Sequence, residues 1–105
     1  MSVHLVYITT GDAEEAREIG SELVMRHLAA CVNIIDKMES IYWWDGRLET
    51  SSEAVLLAKT SEDRLDQLIA TARQLHSYDC PCIVALKSEK GNEEFFDWVK
   101  SYTSK

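Results

Sequence analysis

Residues 41–47 read Ile-Tyr-Trp-Trp-Asp-Gly-Arg, and the Asp45-Gly46 pair in this stretch decides how the chain folds. A two-residue type I′ turn needs positive φ at both central positions, and Asp-Gly is a favoured sequence for it. The flanking segments, residues 30–44 and 47–60, are rich in apolar residues and are expected to form the two strands of a hairpin. Ser51-Ser52-Glu53 predicts an irregularity in the second strand. Residues 54–58 are apolar on both faces, as in a buried strand.

The segments before and after the hairpin predict one further strand and two helices. Residues 3–10 are apolar and rich in β-branched side chains until Gly11, which predicts a first strand. Asp12 followed by Glu15 resembles a capping box, and the apolar spacing after it predicts a helix that leads into the hairpin. After the hairpin, a second stripe of helical spacing predicts a helix that begins at Thr60 or Ser61.

The C-terminal part of the chain is expected to add one strand and one helix. Pro81 disfavours helix at Cys80, so residues 82–87 are predicted to form the fourth strand. Gly91-Asn92 then caps a final helix. The inward face of that helix is predicted to comprise Phe95, Trp98, Val99 and Tyr102.

The predicted order of elements is β-α-β-β-α-β-α, in which the hairpin connects two βα-type units. Because connections are short and crossovers are right-handed, few topologies are compatible with this order, and we predict one α+β domain over residues 1–105. The expected fold is a ferredoxin-like split β-α-β sandwich with helices on one face of its sheet and an extra C-terminal helix. Because this fold hosts unrelated functions, function must be argued from sites.

The composition excludes several classes of partner. The chain has 105 residues and a formal net charge of −7, from 18 acidic and 11 basic side chains. Such a surface repels phosphate backbones and anionic lipid, so neither nucleic acid nor membrane is an expected partner. No apolar run reaches the roughly 18 residues of a membrane helix, and the start lacks the basic region of a signal peptide. Three cysteines, an odd count, indicate reduced thiols and a cytoplasmic protein.

The stretch His-Ser-Tyr-Asp-Cys-Pro-Cys, residues 76–82, has two interpretations. If Cys80 and Cys82 are extended on either side of Pro81, both thiols point to the same side. Together with the imidazole of His76 they would suit copper(I) or zinc. Alternatively the stretch is only a junction between a helix and a strand, with the cysteines as small apolar residues and His76 favoured by the helix dipole.

No sequence motif points to catalysis. The chain lacks a glycine-rich phosphate loop, a nucleophile elbow and a His-Glu-x-x-His helix. Cys31 and His76 could form a nucleophile–base pair, but any small protein with several cysteines and histidines offers such a pair by chance. We therefore expect a protein that binds and does not catalyse.

The aromatic run at the hairpin predicts a contact with another subunit. Alternation sends Tyr42 and Trp44 to one face of the hairpin, and Ile41 and Trp43 to the other. A protruding hairpin has no core of its own, and exposed aromatic side chains on a soluble monomer would promote aggregation. Tyr and Trp are also typical anchors of interfaces.

Four separate motifs occur in this order: Leu28-Ala29-Ala30-Cys31-Val32-Asn33, Ser40-x-Tyr42-x-Trp44-x-Gly46, Lys59-Thr60 and His76-x-Tyr78-x-x-Pro81. In their residues and spacing they resemble the divalent-cation tolerance proteins called CutA. The resemblance implies a ferredoxin-like subunit in a compact homotrimer, whose hairpin arms form the seam between subunits. It also implies an architecture similar to that of the trimeric PII signalling proteins.

The resemblance further implies a role in tolerance to divalent metals, copper especially. In some members copper ligation is attributed to a cysteine near the end of the first strand and to two adjacent histidines. Here the corresponding positions are Ile8 or Thr9 and Leu75-His76, so only His76 matches. Cys80 and Cys82, with a contribution from Cys31, would restore soft ligation in a different way.

Three hypotheses of function follow. The first is a cytoplasmic homotrimer that binds copper or a related divalent cation through His76, Cys80, Cys82 and Cys31. The second is a PII-like regulatory trimer that holds a small effector in clefts between subunits. Such a cleft would be lined by Tyr42, Trp44, Lys59, His76 and Tyr78, which supply stacking surfaces and a cation for an anionic group. The third is a structural trimer to which other proteins dock.

Overall fold

The computed structural model describes residues 2–105 and contains four strands and three helices over that range. The elements are β1 Val3–Thr10, α1 Ala13–Met25, β2 Cys31–Trp44, β3 Arg47–Ser61, α2 Glu62–Leu75, β4 Ile83–Lys87 and α3 Glu93–Thr103. The strands form one sheet in the order β2-β3-β1-β4, and every neighbouring pair is antiparallel. This order confirms the predicted α+β, ferredoxin-like fold.

The hairpin turns where the sequence predicts. Asp45 and Gly46 have φ values of 51° and 75°, as a type I′ turn requires, and Trp44 pairs with Arg47 across the turn. The predicted irregularity at residues 51–53 is wrong, because these residues pair regularly with 38–40. The register instead shifts on the partner strand, between Ile35 and Met38.

The bulge in β2 has a local cause. Lys37 has a φ of 60°, and its backbone N–H donates to the Asp36 carboxylate over 2.7 Å. A short polar side chain that bonds the backbone in this way offers an alternative to the strand ladder. The bulge leaves two residues of β2, Asp36 and Lys37, between the pairs Ile35–Val55 and Met38–Glu53, where β3 has one.

Helices α1 and α2 cover one face of the sheet and form the main core. Val6, Ile8 and Leu56 point to this face and are fully buried against Ile19 and Leu23 of α1 and other apolar side chains. Residues 54–58 are buried or half-buried throughout, which confirms the predicted double-sided burial of β3. The Asp12 side chain caps α1 by accepting the Glu15 N–H over 2.8 Å.

Helix α3 differs from the prediction in position and in rotation. It packs at the first residue of β1 and the last of β3, with Val99 beside Val3 and Thr103 donating to the Ser61 hydroxyl over 2.8 Å. Because side chains alternate along a strand, Val3 and Ser61 point away from α1 and α2, so the helices do not all lie on one face.

The predicted inward face of α3 is correct only for Val99. Phe96 packs with Val99 and Val3, whereas Phe95, Trp98 and Tyr102 are about two-fifths exposed. The spacing of the aromatic residues therefore predicted the wrong face of α3. The contact with the sheet is filled by Phe96 and Thr103, which lie outside the predicted stripe.

Beyond α3, this second face of the sheet carries exposed apolar side chains. Val84 and Leu86 of β4 and Ile35 of β2 lie on it, each about half exposed, beside the half-buried Leu5 and Tyr7. The two edge strands, β2 and β4, therefore border an apolar surface. Across residues 2–105, no helix has the length and apolar character needed to span a membrane.

Candidate functional site

The loop at residues 76–82 is fixed to β1 by His76. The imidazole is fully buried, Nε2 donates to the Thr9 carbonyl over 2.7 Å, and Nδ1 accepts the Tyr78 N–H over 3.1 Å. A carbonyl can only accept and a backbone N–H can only donate, so these two bonds select one tautomer. Both ring nitrogens are used in holding the loop, and neither presents a lone pair to a metal ion.

Glu15 fixes the same loop to the start of α1. Its carboxylate accepts the Gly11 N–H over 3.0 Å and the Ser77 N–H over 2.8 Å, and it lies 3.8 Å from Nδ1 of His76. Burial by itself raises the pKa of Glu15, but the hydrogen bonds from Ser77 and Gly11, with His76 nearby, outweigh it and lower the pKa. The predicted capping box is thus only half formed. Asp12 caps the Glu15 N–H, but the Glu15 carboxylate binds Gly11 and Ser77 and not the N–H of Asp12.

Tyr78 links this loop to the hairpin. Its hydroxyl donates to the Glu53 carboxylate over 2.8 Å, and its ring packs against the His76 ring with centroids 4.7 Å apart. Burial, then the hydrogen bond to Glu53 and the charge of that carboxylate, raises the pKa of the Tyr78 phenol. The loop is therefore bonded to β1, α1 and β3.

A groove of about 430 Å³ lies between this loop and the arm of the hairpin beyond the bulge in β2. We call it the aromatic groove. The rings of Tyr42 and Trp44 line its hairpin side, and Tyr78 lines its loop side. Tyr42 and Trp44 share a face because they are two residues apart on one strand, and the Tyr42 hydroxyl lies 3.2 Å from that of Ser51 on the same face.

Charged and soft side chains complete the groove. Glu53 of β3 and Asp79 of the loop line it, and so do Cys80 and Cys82 on either side of Pro81. Both thiols are free and exposed. Among residues 2–105, no Lys, Arg or His side chain lines the groove. Two carboxylates in this lining meet no basic side chain, so the groove has a negative electrostatic character.

The structure brings together only part of the predicted site residues. Tyr42, Trp44, Tyr78, Cys80 and Cys82 meet in the groove, whereas His76 lies behind it with its ring nitrogens engaged.

Cys31 and Lys59 lie away from the groove. They pair with each other at the far end of β3, six residues from Glu53, which corresponds to about 20 Å of extended strand. Lys59 therefore supplies no positive charge to the groove, and Cys31 adds no thiolate to it. Within the described part of the chain, no three His, Cys, Asp or Glu side chains are grouped so as to hold a metal ion.

Glu53, Asp79 and Ser51 line the groove but were not identified from the sequence. Asp79 had a signal, since it lies inside the stretch that was singled out. Glu53 had none, because the pairing of β3 with β1 and the placement of the loop after α2 bring it to Tyr78.

Comparison with known proteins agrees with the fold and the motifs. The model of the family described as "CutA1 divalent ion tolerance protein" matches residues 4–102. The chain belongs to the CutA1 family. It is 41% identical over 99 residues to the "Divalent-cation tolerance protein CutA" of Thermus thermophilus, which covers 94% of this chain and 96% of that protein.

Two further relatives extend the comparison. The "Protein CutA 1, chloroplastic" of Oryza sativa is 37% identical over 99 residues, which is 94% of this chain but 56% of the rice protein. The chain thus spans little more than half of that relative. The structure described as the periplasmic divalent cation tolerance protein CutA from Archaeoglobus fulgidus superposes with a TM-score of 0.92 at 36% identity, over 96% of this chain and 98% of that one. The resemblance to CutA that the motifs indicate is confirmed.

Proposed function

We propose that this CutA1 family member contributes to divalent-cation tolerance by binding a cation directly in the aromatic groove. The observation that carries the proposal is the chemistry of the lining, in which Glu53 and Asp79 meet two free, exposed thiols without a basic side chain. The proposal assigns binding and no catalysis to this site. The names of its relatives, which refer to divalent-cation tolerance, agree with it.

Copper is the proposed cargo, and Cys80 and Cys82 are its proposed ligands. Thiolates are soft donors that favour copper(I), and both cysteines line one groove. His76 and Cys31 have no part in this ligand set, because the first has both nitrogens engaged and the second lies at the far end of β3. One chain then supplies two thiolates, and any further donor comes from solvent or from another copy of the chain.

We further propose that the protein is a homotrimer. The support lies in the apolar surface bordered by β2 and β4, where Ile35, Val84 and Leu86 are exposed. Both edge strands also offer unpaired backbone groups, which soluble proteins normally cover. Sedimentation should give about three times the 12.0 kDa mass of the chain, and Leu86→Glu should dissociate it. A wild-type protein that sediments at the mass of one chain would exclude the trimer.

A cytoplasmic location is the corresponding proposal for the cell. Three free cysteines suit a reducing compartment. Relatives are named as chloroplastic and periplasmic, so the location of this protein requires its own measurement, for which fractionation with an antibody against the chain is sufficient.

The test of metal binding is a copper(I) competition titration of the reduced protein under anaerobic conditions. The expected result is stoichiometric binding that Cys80→Ser or Cys82→Ser abolishes. Cys31→Ser is the matched control and should leave binding unchanged. The proposal fails if the wild-type protein does not compete for copper(I), or if Cys31→Ser lowers binding as much as the two groove variants.

A second candidate function is regulation by a small effector. It is favoured by the three aromatic rings that line the groove, because small-molecule sites are concave, largely apolar and of about 300–1,000 Å³. In the PII-like version of this hypothesis the effector would bind where subunits meet. Lys59, the predicted cation for an anionic group, lies far along β3 from the groove of its own chain, so it would serve only a cleft completed by another subunit.

A further inference from the structure

We propose that His76 is a pH-sensitive latch, which holds Tyr78 and the loop after α2 against the hairpin while the ring is neutral and releases them when Nδ1 takes up a proton. The latch is independent of cation binding, because it needs only the partners of this ring. Those partners belong to the same chain, and the ring is already fully buried there. Association through the hairpin arms therefore leaves these bonds in place.

Thr9 of β1 closes the base of the loop. Its carbonyl accepts from His76 Nε2 over 2.7 Å, and its N–H donates to the Cys82 carbonyl over 3.2 Å. Nε2 carries a hydrogen in this neutral tautomer and in the charged ring alike, and the second bond joins two backbone groups. Both ends of the loop therefore stay attached to β1 when the ring is protonated.

Nδ1 of His76 is the atom whose role reverses. In the neutral tautomer it accepts the Tyr78 N–H over 3.1 Å, whereas in the charged ring it carries a hydrogen of its own. Two donors would then face each other across this distance. Because a backbone N–H that loses its acceptor is unfavourable, the Tyr78 backbone has to turn away from the ring.

Glu15 of α1 supplies the partner that the charged ring needs. Its Oε2 lies 3.8 Å from Nδ1 of His76 and also accepts the Ser77 N–H over 2.8 Å. The pKa of Glu15 is lowered from 4.5, so its carboxylate stays ionised between about pH 5 and pH 8, where histidine side chains change charge. An ion pair offsets the cost of placing a charge on a buried ring. Acidification thus replaces Tyr78 by Glu15 as the partner of Nδ1.

The other charged side chains of the elements around the ring are mainly acidic on its side. Glu53 of β3 bonds the loop, and Asp79 lies within it. Arg73 is in the last turn of α2 and is exposed. In β1 and β4 the basic residues His4 and Lys87 pair with each other at the opposite end of these strands. This balance favours the protonated ring, as does its position at the C-terminus of α2.

Release of the Tyr78 backbone also detaches the loop from the hairpin, because the Tyr78 hydroxyl makes the bond to Glu53. The movement is confined to residues 77–81, since residues 76 and 82 remain bonded to Thr9. Cys80 lies inside this segment and Cys82 at its fixed end. The spacing between the two thiols therefore follows the protonation state of the ring.

The test is amide hydrogen exchange of Tyr78, followed by NMR on the full, reduced and metal-free protein at the two ends of this range, about pH 8 and pH 5. Each rate is divided by that of an unstructured peptide at the same pH. The protection of the Tyr78 amide should fall about tenfold on acidification, as expected for the loss of one hydrogen bond. His76→Gln keeps an N–H donor and a carbonyl acceptor but takes up no proton, so its protection should be equal at both pH values.

His27→Gln is the matched control, because His27 also bonds a backbone carbonyl, that of Tyr102 in α3, over 3.0 Å. This variant should respond to pH as the wild-type protein does. If His76→Gln does not give a cooperative melting curve, nitrogen NMR of the wild-type His76 ring takes its place. Nδ1 should carry no hydrogen at the higher pH and should gain one as the Tyr78 amide loses protection.

Any of four results would overturn the inference. They are equal protection of Tyr78 at both pH values in the wild-type protein, a fall in His76→Gln as large as in the wild type, loss of the response in His27→Gln, or a hydrogen on Nδ1 of His76 at the higher pH. Because the protein in this test is free of metal, none of these results decides whether copper(I) binds in the groove.

Discussion

Tyr78 donates a hydrogen bond to Glu53 over 2.8 Å, and this bond joins the loop after α2 to the strand β3. The two residues are 25 positions apart in the sequence and lie on opposite sides of the aromatic groove. The bond sets the width of the groove at this point, because it ties a ring of the loop to a carboxylate of the hairpin. It also holds the Glu53 carboxylate in the lining of the groove.

Removing the Tyr78 hydroxyl should therefore loosen the groove. Tyr78→Phe is expected to lower the free energy of unfolding by about 1 kcal/mol, the net value of one hydrogen bond at a partly exposed position. Tyr42→Phe, which loses only the contact with the Ser51 hydroxyl, should cost less. Urea unfolding of the two variants measures the difference. Equal losses would show that the bond to the carboxylate adds nothing over the neutral contact.

Glu15 should make the stability depend on pH at the acidic end. Because the pKa of Glu15 is lowered below its ordinary value of 4.5, the unfolded chain binds a proton more readily than the folded one. The contribution of the carboxylate is thus complete above that value and is lost as the pH falls through the folded pKa.

Glu15→Gln tests this contribution. The variant should be less stable than the wild-type protein at pH 7, by about 2 kcal/mol, because two backbone N–H groups lose a charged acceptor. The difference should shrink as the pH falls below the ordinary value of 4.5. Glu14→Gln, at the exposed neighbouring position, is the control. A gap between wild type and Glu15→Gln that stays constant with pH would contradict the expectation.

The three thiols should differ in their rate of alkylation. Cys80 and Cys82 are exposed and Cys31 is half-buried at the start of β2, so two labels should add quickly and one slowly. Mass spectrometry of peptides after brief exposure to iodoacetamide identifies the sites. Occupation of the groove by copper(I) should protect the two fast thiols and leave the slow one unaffected. Equal protection of Cys31 would place the metal elsewhere.

A side chain at Gly91 should destabilise the packing of α3. A Cβ at this position would lie 2.8 Å from Phe96 Cε1 and closer still to Cζ, in the contact that seats α3 on the sheet. Gly91→Ala is expected to cost about 1–3 kcal/mol, as overpacking usually does. Gly11→Ala, whose Cβ would meet its first neighbour at 3.5 Å, should cost less. Thermal melting of both variants ranks them, and the reverse order would show that Phe96 moves freely.

The sequence by itself determined the chain's elements, its fold class and its family. The Asp45-Gly46 turn, the caps at Asp12 and Asn92 and the two helical stripes are local signals, and each depends on residues within a few positions of one another. Local signals decide where strands and helices begin, and their order leaves few ways to assemble one sheet. From the sequence, residues 76–82 were either a metal site or a junction between a helix and a strand; in the structure they supply a histidine bonded to β1 and two thiols that line the groove, and metal binding there stays a prediction.

Only the tertiary structure decided which side chains share the groove and which way α3 faces. The bulge between Ile35 and Met38 shifts β2 by one residue against β3, and this register puts Tyr42 and Trp44 on the face of the hairpin that carries Glu53. The exposed position of Phe95, Trp98 and Tyr102 follows from Phe96 and Val99 taking the contact with Val3 of β1. Both outcomes depend on contacts between residues distant in sequence, which periodicity cannot report.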